Sequence, residues 1–403
     1  MTSLIQRVKA NRNWNISILA LGVLSGFLYL FNLANGQRSE YYASIAVSMS
    51  KSFSNFFFGA LDGGGNLTLD NIPGSYWMPA IFVKLFGMST WSVNAPNAIA
   101  TVGLVLVVAF TAKRLFGNTA GIIAGVLIAA TPIITAVARS NQPQTFLLLM
   151  FGLAANRAIA AFENNSRRSL IASGAWIAAA FQMYMIEAWA VWPALIVAWF
   201  FTEQKLLKKV LDLAIAGSIS LSLSLVWIIT VWVIPTDSRP YIGGTYHNNP
   251  WEMVFGYNAL GRFAVTAGAN SATMTGLDYR SFTPPFGGSA GIGRLFNPQV
   301  AGQISWLIPA TVVAIILLFW LKQKRALTIF LGSWFVVFFA MFSAVAGMHQ
   351  FYVSSLAIPM SLLIAMAIGA SIKQNKAWLV LLLAAPTVIW SAGMAQLYPD
   401  YFT

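Results

Sequence analysis

Residues 14–33 read WNISILALGVLSGFLYLFNL, twenty positions without an acid or a base, directly behind a stretch that carries Arg7, Lys9 and Arg12. As a helix, a run of that length crosses about 30 Å of hydrocarbon with its backbone hydrogen bonds satisfied internally. It is too long for the apolar core of a secretory leader, and no small-x-small cleavage site follows. It therefore reads as a first membrane span.

Outward from this stretch the same signal recurs along nearly the whole chain. Candidate spans begin near residues 14, 91, 118, 143, 169, 187, 210, 303, 326, 350 and 377. The 403 residues are 58% hydrophobic and 9% charged, where a soluble domain carries about a quarter of its residues as charges. Water is not the main solvent of this chain. The expected fold is an all-α polytopic membrane protein of about 11 transmembrane helices, one domain over residues 1–403. The run 169–201 is too long for one crossing and short for two, and it is read as broken at Met183 to Glu187.

A net charge of +13 raises the question of nucleic acid, but no basic stretch is interleaved with aromatics as a single-strand surface requires. No nucleic-acid partner is expected. The bases form short clusters between the apolar runs: Arg7/Lys9/Arg12, Lys113/Arg114, Arg157/Arg167/Arg168, Lys205/Lys208/Lys209, Lys322/Lys324/Arg325 and Lys373/Lys376. Threading eleven spans puts all of these on one side, which the positive-inside rule makes the cytoplasm. The reading is a multi-pass protein of the cell membrane, N-terminus cytoplasmic and C-terminus extracytoplasmic.

Two long segments then lie outside, residues 35–90 and 235–302. The first holds a helix-like stretch, Glu40 to Phe57, the turn Asp62-Gly-Gly-Gly-Asn66, and Tyr76 to Phe86, apolar but too short to span, so interfacial helices are expected. The second is rich in Gly, Pro, Asn and aromatics and reads as an ordered loop with short helices.

Acids are scarce, so Glu40, Asp62 and Asp70 gathered in the first external loop point to a site. Carboxylates beside low-dielectric walls can serve as general bases. Each also has a structural reading. Glu40 suits a helix N-terminus, Asp70 an Asx-turn, Asp62 the glycine turn, and Glu187 either an ion pair or the membrane interface. The remaining external acids are Asp237, Glu252, Asp278 and Asp400. The cations placed on that side, Arg139, Arg262, Arg280, Arg294 and His349, complement a lipid phosphate. Arg139 ends a span and equally suits snorkelling, and His349 an interfacial packing role. Cysteine is absent, the two histidines are far apart, and no metal-ligand, nucleotide-loop or hydrolase spacing occurs. No cofactor and no metal are expected.

Several strings match as a set. Ser39-Glu-Tyr-Tyr-Ala43, Asn55-Phe-Phe-Phe-Gly59, Thr68-Leu-Asp70, Lys84-Leu-Phe-Gly87, Phe255-Gly-Tyr-Asn258, Gly261-Arg262, Phe286-Gly-Gly288, Gly291 through Phe296, Ile304-Ser-Trp-Leu-Ile-Pro309 and His349-Gln-Phe-Tyr352 resemble the YkcB-like bacterial glycosyltransferases. Those belong with the aminoarabinose transferase and protein O-mannosyltransferase group of the GT-C superfamily. The resemblance implies an inverting transferase. It would move a sugar from a polyprenyl-phosphate donor to an extracytoplasmic hydroxyl of a glycan, lipid or protein, with bilayer lipids around it.

Residue by residue, the resemblance implies that Glu40 matches the family's first acidic position and Asp70 the acid of its Asp-Lys-Pro-Pro motif. Arg262 matches the arginine after Gly-Tyr-Asn, and His349 with Tyr352 match a late His-Pro-Tyr-Tyr motif. Two of these motifs depart from the pattern. Asn71-Ile72 stands where the first has Lys-Pro, and Gln144 stands where the family's Asn-x-Pro-Asp ends in an acid. Many relatives also continue into an external soluble domain beyond the point where this chain stops at Thr403. The expected catalytic residues are thus Glu40, Asp70 and Asp62. The expected donor and phosphate contacts are Arg262, His349, Tyr352, Arg139, Asn71 and Gln144. The competing readings are a catalytically silent glycolipid-binding homologue, motivated by Asn71 and Gln144, and a lipid or solute transporter. The carboxylates in long external loops, rather than near the midplane, disfavour transport.

Overall fold

A computed structural model describes residues 2–263 and 286–401 of the chain; Asp278 and Arg280 lie outside these residues. The described residues form seventeen α-helices and several single turns, with only two isolated β-bridges. In chain order the helices are α1 (Thr2–Leu30), α2 (Glu40–Lys51), α3 (Phe53–Phe58), α4 (Gly74–Phe86), α5 (Thr90–Ala130), α6 (Pro132–Ala138), α7 (Gln144–Asn164), α8 (Arg167–Tyr184), α9 (Ile186–Trp189), α10 (Trp192–Phe200), α11 (Leu206–Val233), α12 (Gly261–Phe263), α13 (Ala301–Ile304), α14 (Ile308–Trp320), α15 (Arg325–Ala344), α16 (Ala357–Lys373) and α17 (Val380–Leu397).

Each of the eleven segments read from the sequence coincides with a helix, yet only eight helices are long and apolar enough to cross a membrane on those criteria alone. Three details account for the difference. α5 runs 41 residues but breaks at Phe116 and Gly117, whose φ of 85° lets the chain reverse, so it is two segments, 90–115 and 118–130. α8 carries Arg167, Arg168, Ser173 and Gln182, which lower its hydropathy. Ile186–Phe200 is apolar but short. The break expected at Met183 to Glu187 falls at Met185, buried at φ 50° and ψ −128°.

The bundle is built around α16. The Gln350–Lys373 segment is 89% buried, whereas α1 and α17 bury 22% and 17% of their apolar windows and face outward. Without a hydrophobic force between helices in lipid, close approach supplies the attraction. Gly369 of α16 shows how: a Cβ there would stand 2.4 Å from Phe116.

The basic clusters converge on one end of the bundle. Arg114 and Lys324 both pair with Glu163, at 2.7 and 2.9 Å. Arg167 and Lys208 pair with buried Asp212. Arg325 lies over Phe201, Lys113 over Trp14 and Lys376 over Trp320. One omitted span would have divided these contacts between opposite ends.

The other end collects the long loops. α2 and α3 fill the helix-like stretch after Ser39 and are separated at Ser52, whose hydroxyl accepts from Asn55 N and caps α3. α4 is the expected short apolar helix. Its start presses on the α8 break: a Cβ on Gly74 would sit 2.2 Å from the Gln182 carbonyl oxygen. The next residue, Ser75, donates to Pro143 O at 2.7 Å or Met183 O at 2.9 Å. Forcing a methyl group into such a backbone contact costs about 1–3 kcal/mol. Gly74→Ala is therefore expected to lower the thermal unfolding midpoint of the detergent-solubilised protein clearly, while Gly26→Ala, which meets open space, leaves it unchanged.

Candidate active site

The loop end owes its order to buried side-chain amides. Asn94 and Asn97, on the first half of α5, donate to the carbonyls of Gln37, Arg139, Ser140 and Gln142 at 2.7–3.2 Å. Asn141 then exchanges two hydrogen bonds with the Ser39 backbone, 2.8 and 2.9 Å, and Ser39 caps α2. These contacts set where α2 begins and where α7 begins.

The two long loops are joined to each other. Thr68 N donates to Tyr241 O and Tyr241 N to Asn66 O, at 2.9 and 2.8 Å, a short parallel bridge. Asn258 Nδ2 reaches the Asp70 carbonyl at 2.6 Å. Asn258 belongs to a π-helix, Glu252–Leu260. π-helical turns are rare and frequent at functional sites. Here the turn delivers Tyr257, Asn258 and then Arg262 to one place.

Asp70 is half-buried among aromatic rings. Its carboxylate lies close to the Tyr257 hydroxyl and accepts from Asn71 Nδ2 at 2.9 Å. Burial, and then the Asp70 charge, push the Tyr41 hydroxyl up to about 12. Arg262 is 8% exposed; its guanidinium lies 5.5 Å from the Tyr257 ring centre and donates to Asn258 Oδ1 at 2.9 Å. Its backbone carbonyl accepts from Ala346 N and Gly347 N. A carboxylate and a buried guanidinium thus flank one tyrosine, bridging the two loops and the segment after α15.

Beside Arg262 opens a cavity of about 90 Å³, lined by Tyr184, Glu187, Asn258, Arg262, Phe342 and Tyr352 among others. The Tyr184 and Tyr352 hydroxyls are hydrogen-bonded at 3.0 Å. Glu187 is half-buried on its wall. It accepts from Ser355 Oγ at 2.6 Å and from Gln144 Nε2 at 2.9 Å. Read from sequence only as a residue at the span break, Glu187 carried a stronger signal: it is the one acid in a long apolar run, and ionisable groups in such runs mark function. Tyr257 lies inside the Phe-Gly-Tyr-Asn string, but nothing in that string by itself distinguishes it from the tyrosines common at membrane interfaces.

Asp70, Arg262, Tyr352 and Gln144 come together at this end. Other expected site residues are placed differently. Glu40 is the first residue of α2, its side chain 73% exposed and paired with Arg38 at 3.0 Å. Asp62 closes the glycine turn, accepting from Gly64 N, Asn66 N and Leu67 N at 2.9–3.0 Å. The Leu67 amide first, with the Asn66 and Gly64 donors, holds its carboxyl below the usual range. Arg139 donates to Leu28 O and Phe31 O and so caps α1. Arg294 does the same for α15 through Phe342 O and Ala346 O. These are the stop signals that helix carbonyls require.

His349 stacks between Phe286 and Phe351, with ring centres 5.0 and 4.8 Å away, and meets the Tyr352 ring. Burial first, then the Arg262 charge, push it down to about 4, so at neutral pH it offers a neutral N–H rather than a cation. Among the described residues no group of three or more His, Asp or Glu side chains is placed to hold a metal ion.

Residues 70–232 match the family described as dolichyl-phosphate-mannose-protein mannosyltransferase. The chain is similar to two proteins of Bacillus subtilis (strain 168), each 27% identical. "Putative mannosyltransferase YycA" is matched over 97% of this chain and 69% of its own length, and "Putative mannosyltransferase YkcB" over 88% and 62%. The resemblance to YkcB-like proteins therefore runs nearly end to end, although the chain spans only about two thirds of their length. By fold it is similar to the crystal structure of ArnT from Cupriavidus metallidurans bound to undecaprenyl phosphate: TM-score 0.64, 15% identity, 88% of this chain and 60% of that one. Archaeal oligosaccharyltransferase AglB from Archaeoglobus fulgidus, in complex with an inhibitory peptide and a dolichol-phosphate, gives 0.55 and 13%, covering 96% and 56%. The fold is the GT-C type of polytopic membrane glycosyltransferases.

His349 provides a pH test of the packing. Unfolded, it takes a proton near 6.5; folded, near 4. Above pH 6.5 the ring is neutral in both states and its packing contributes fully. As the pH falls through this window the unfolded chain binds a proton that the folded one refuses, and stability is lost. The unfolding midpoint should fall from pH 7 to pH 5, and fall less in His349→Phe, which keeps a flat ring between Phe286 and Phe351. Equal falls would contradict the buried neutral imidazole.

Proposed function

We propose, on the premise of a GT-C fold matched to a mannosyltransferase family, that this chain transfers a sugar from a polyprenyl-phosphate donor to a hydroxyl acceptor on the extracytoplasmic face. In this reading the N-terminus and the basic clusters are cytoplasmic, the C-terminus is external, and the two long loops form the external floor of the site. The supporting observation is that Asp70 and Arg262 both lie close to Tyr257, and that Arg262 also lines a cavity between helices.

The chemistry follows from that pairing. A lipid donor keeps its prenyl chain in the bilayer while its phosphate reaches the loop end. Arg262, fixed by Asn258 and desolvated, is matched to a phosphate whose negative charge grows as the bond to the sugar breaks. Asp70 accepts the proton of the acceptor hydroxyl, the oxygen attacks the anomeric carbon, and the polyprenyl phosphate departs with the bonding electron pair. Attack opposite the leaving group inverts the anomeric centre. In this reading Tyr352, and His349 through a neutral N–H, donate to phosphate oxygens. Asn71, holding Asp70, takes the place of a lysine in the resembled motif, so Arg262 carries the phosphate charge without that neighbour.

Transfer of radiolabelled mannose from undecaprenyl-phosphate-mannose by the purified protein tests this assignment. Asp70→Asn should reduce turnover by about a hundredfold or more, whereas Glu40→Gln, exposed and paired with Arg38, should stay within about threefold of the parent, because general-base catalysis contributes on the order of 10²–10⁴. Unchanged turnover in both variants would remove the carboxylate base from the account.

A further inference from the structure

Gln144 stands where the resembled Asn-x-Pro-Asp sequence places an acid, and the side chain it meets is an acid. Its Nε2 donates to Glu187 Oε2 at 2.9 Å, and the second oxygen of Glu187 accepts from Ser355 Oγ at 2.6 Å. The three residues come from α7, α9 and the turn Gln350–Leu356, and α9 follows directly on the break at Met185. A backbone held at φ 50° and ψ −128° in a non-glycine residue costs about 1–3 kcal/mol and persists only where its surroundings impose it. Two residues on, that strained turn presents Glu187 to the cavity that Arg262 also lines.

The cluster is short of a donor. Gln144 is fully buried, and its Oε1 has no hydrogen-bond partner among the described residues. Turning the amide over would not help, since its oxygen would then face the Glu187 carboxylate. The hydrogen-bond donors that hold Glu187 in place, Ser355 and Gln144, are both uncharged. A buried acceptor left unsatisfied costs on the order of 1–3 kcal/mol, a cost the fold bears while holding Gln144 against Glu187.

We infer that Glu187 forms the sugar-recognition subsite of the cavity, accepting hydrogen bonds from hydroxyls of the transferred sugar while Arg262 holds its phosphate, with Gln144 as the positioning residue that orients the Glu187 carboxylate. The acid absent from position 144 is supplied by the neighbouring helix, so the departure at Gln144 relocates a carboxylate instead of deleting it. This inference rests on the lipid-phosphate-sugar reading above, and its test separates the two.

Binding of undecaprenyl phosphate, bare or carrying mannose or glucose, is measured with the purified full chain in nanodiscs. The native protein should bind a glycosylated lipid more tightly than the bare one. Glu187→Gln and Gln144→Leu should each weaken the glycosylated lipid about tenfold or more, the loss expected for a hydrogen bond to a charged or buried partner, and leave the bare lipid within about twofold. Retained binding of the bare lipid also shows that the variants are folded. Variants that bind all three lipids like the native protein, or that lose all three alike, overturn the inference. A native protein that gains nothing from either sugar overturns it as well. If the native protein binds none of the lipids, the lipid-phosphate reading itself fails.

Discussion

Inside hydrocarbon a helix can end only where something else takes over its backbone hydrogen bonds, and the loop end of this molecule is a collection of such handovers. α4, α6, α8 and α15 all stop there. Ser75 serves Pro143 and Met183, Asn94 and Asn97 serve the turn between α6 and α7, and Arg139 and Arg294 take the last carbonyls of α1 and α15. Because each of these polar groups has a partner from a different helix, the ends cannot shift independently.

That requirement sorts the charged residues. At the basic end, acids neutralise the cations: Glu163 and Asp212 each take two partners. At the loop end the guanidiniums of Arg139 and Arg294 are consumed by helix carbonyls, and Glu252 is held by the amides of Tyr246 and His247. Asp70, Arg262 and Glu187 sit around a cavity or an aromatic cluster. A charge partly withdrawn from water is expensive to keep, which is why these three carry the functional argument.

The architecture was legible because hydropathy and the spacing of basic clusters both report on the bilayer. Every segment start, the break near Glu187 and the short helices of the first loop follow from those two patterns. The site was legible only in part. Asp70, Arg262 and Tyr352 stand within strings that matched as a set. Glu40 and Asp62 were singled out because acids are scarce, and scarcity does not distinguish an acid that caps a turn from one that faces a ligand; only the partners of Asp62, three amides within five residues, decide that. The Gln144–Glu187 contact joins residues 43 apart across a strained turn, and no local pattern announces a contact of that kind.

The central claim is that a lipid phosphate docks on Arg262, between the π-helix and the segment that follows α15. A structure of this protein determined with undecaprenyl phosphate bound tests it most directly. The account predicts phosphate density within hydrogen-bonding distance of the Arg262 guanidinium, with the prenyl chain leaving between helices toward the bilayer. Phosphate density at the basic end, among Arg114, Lys324 and Arg325, would contradict it.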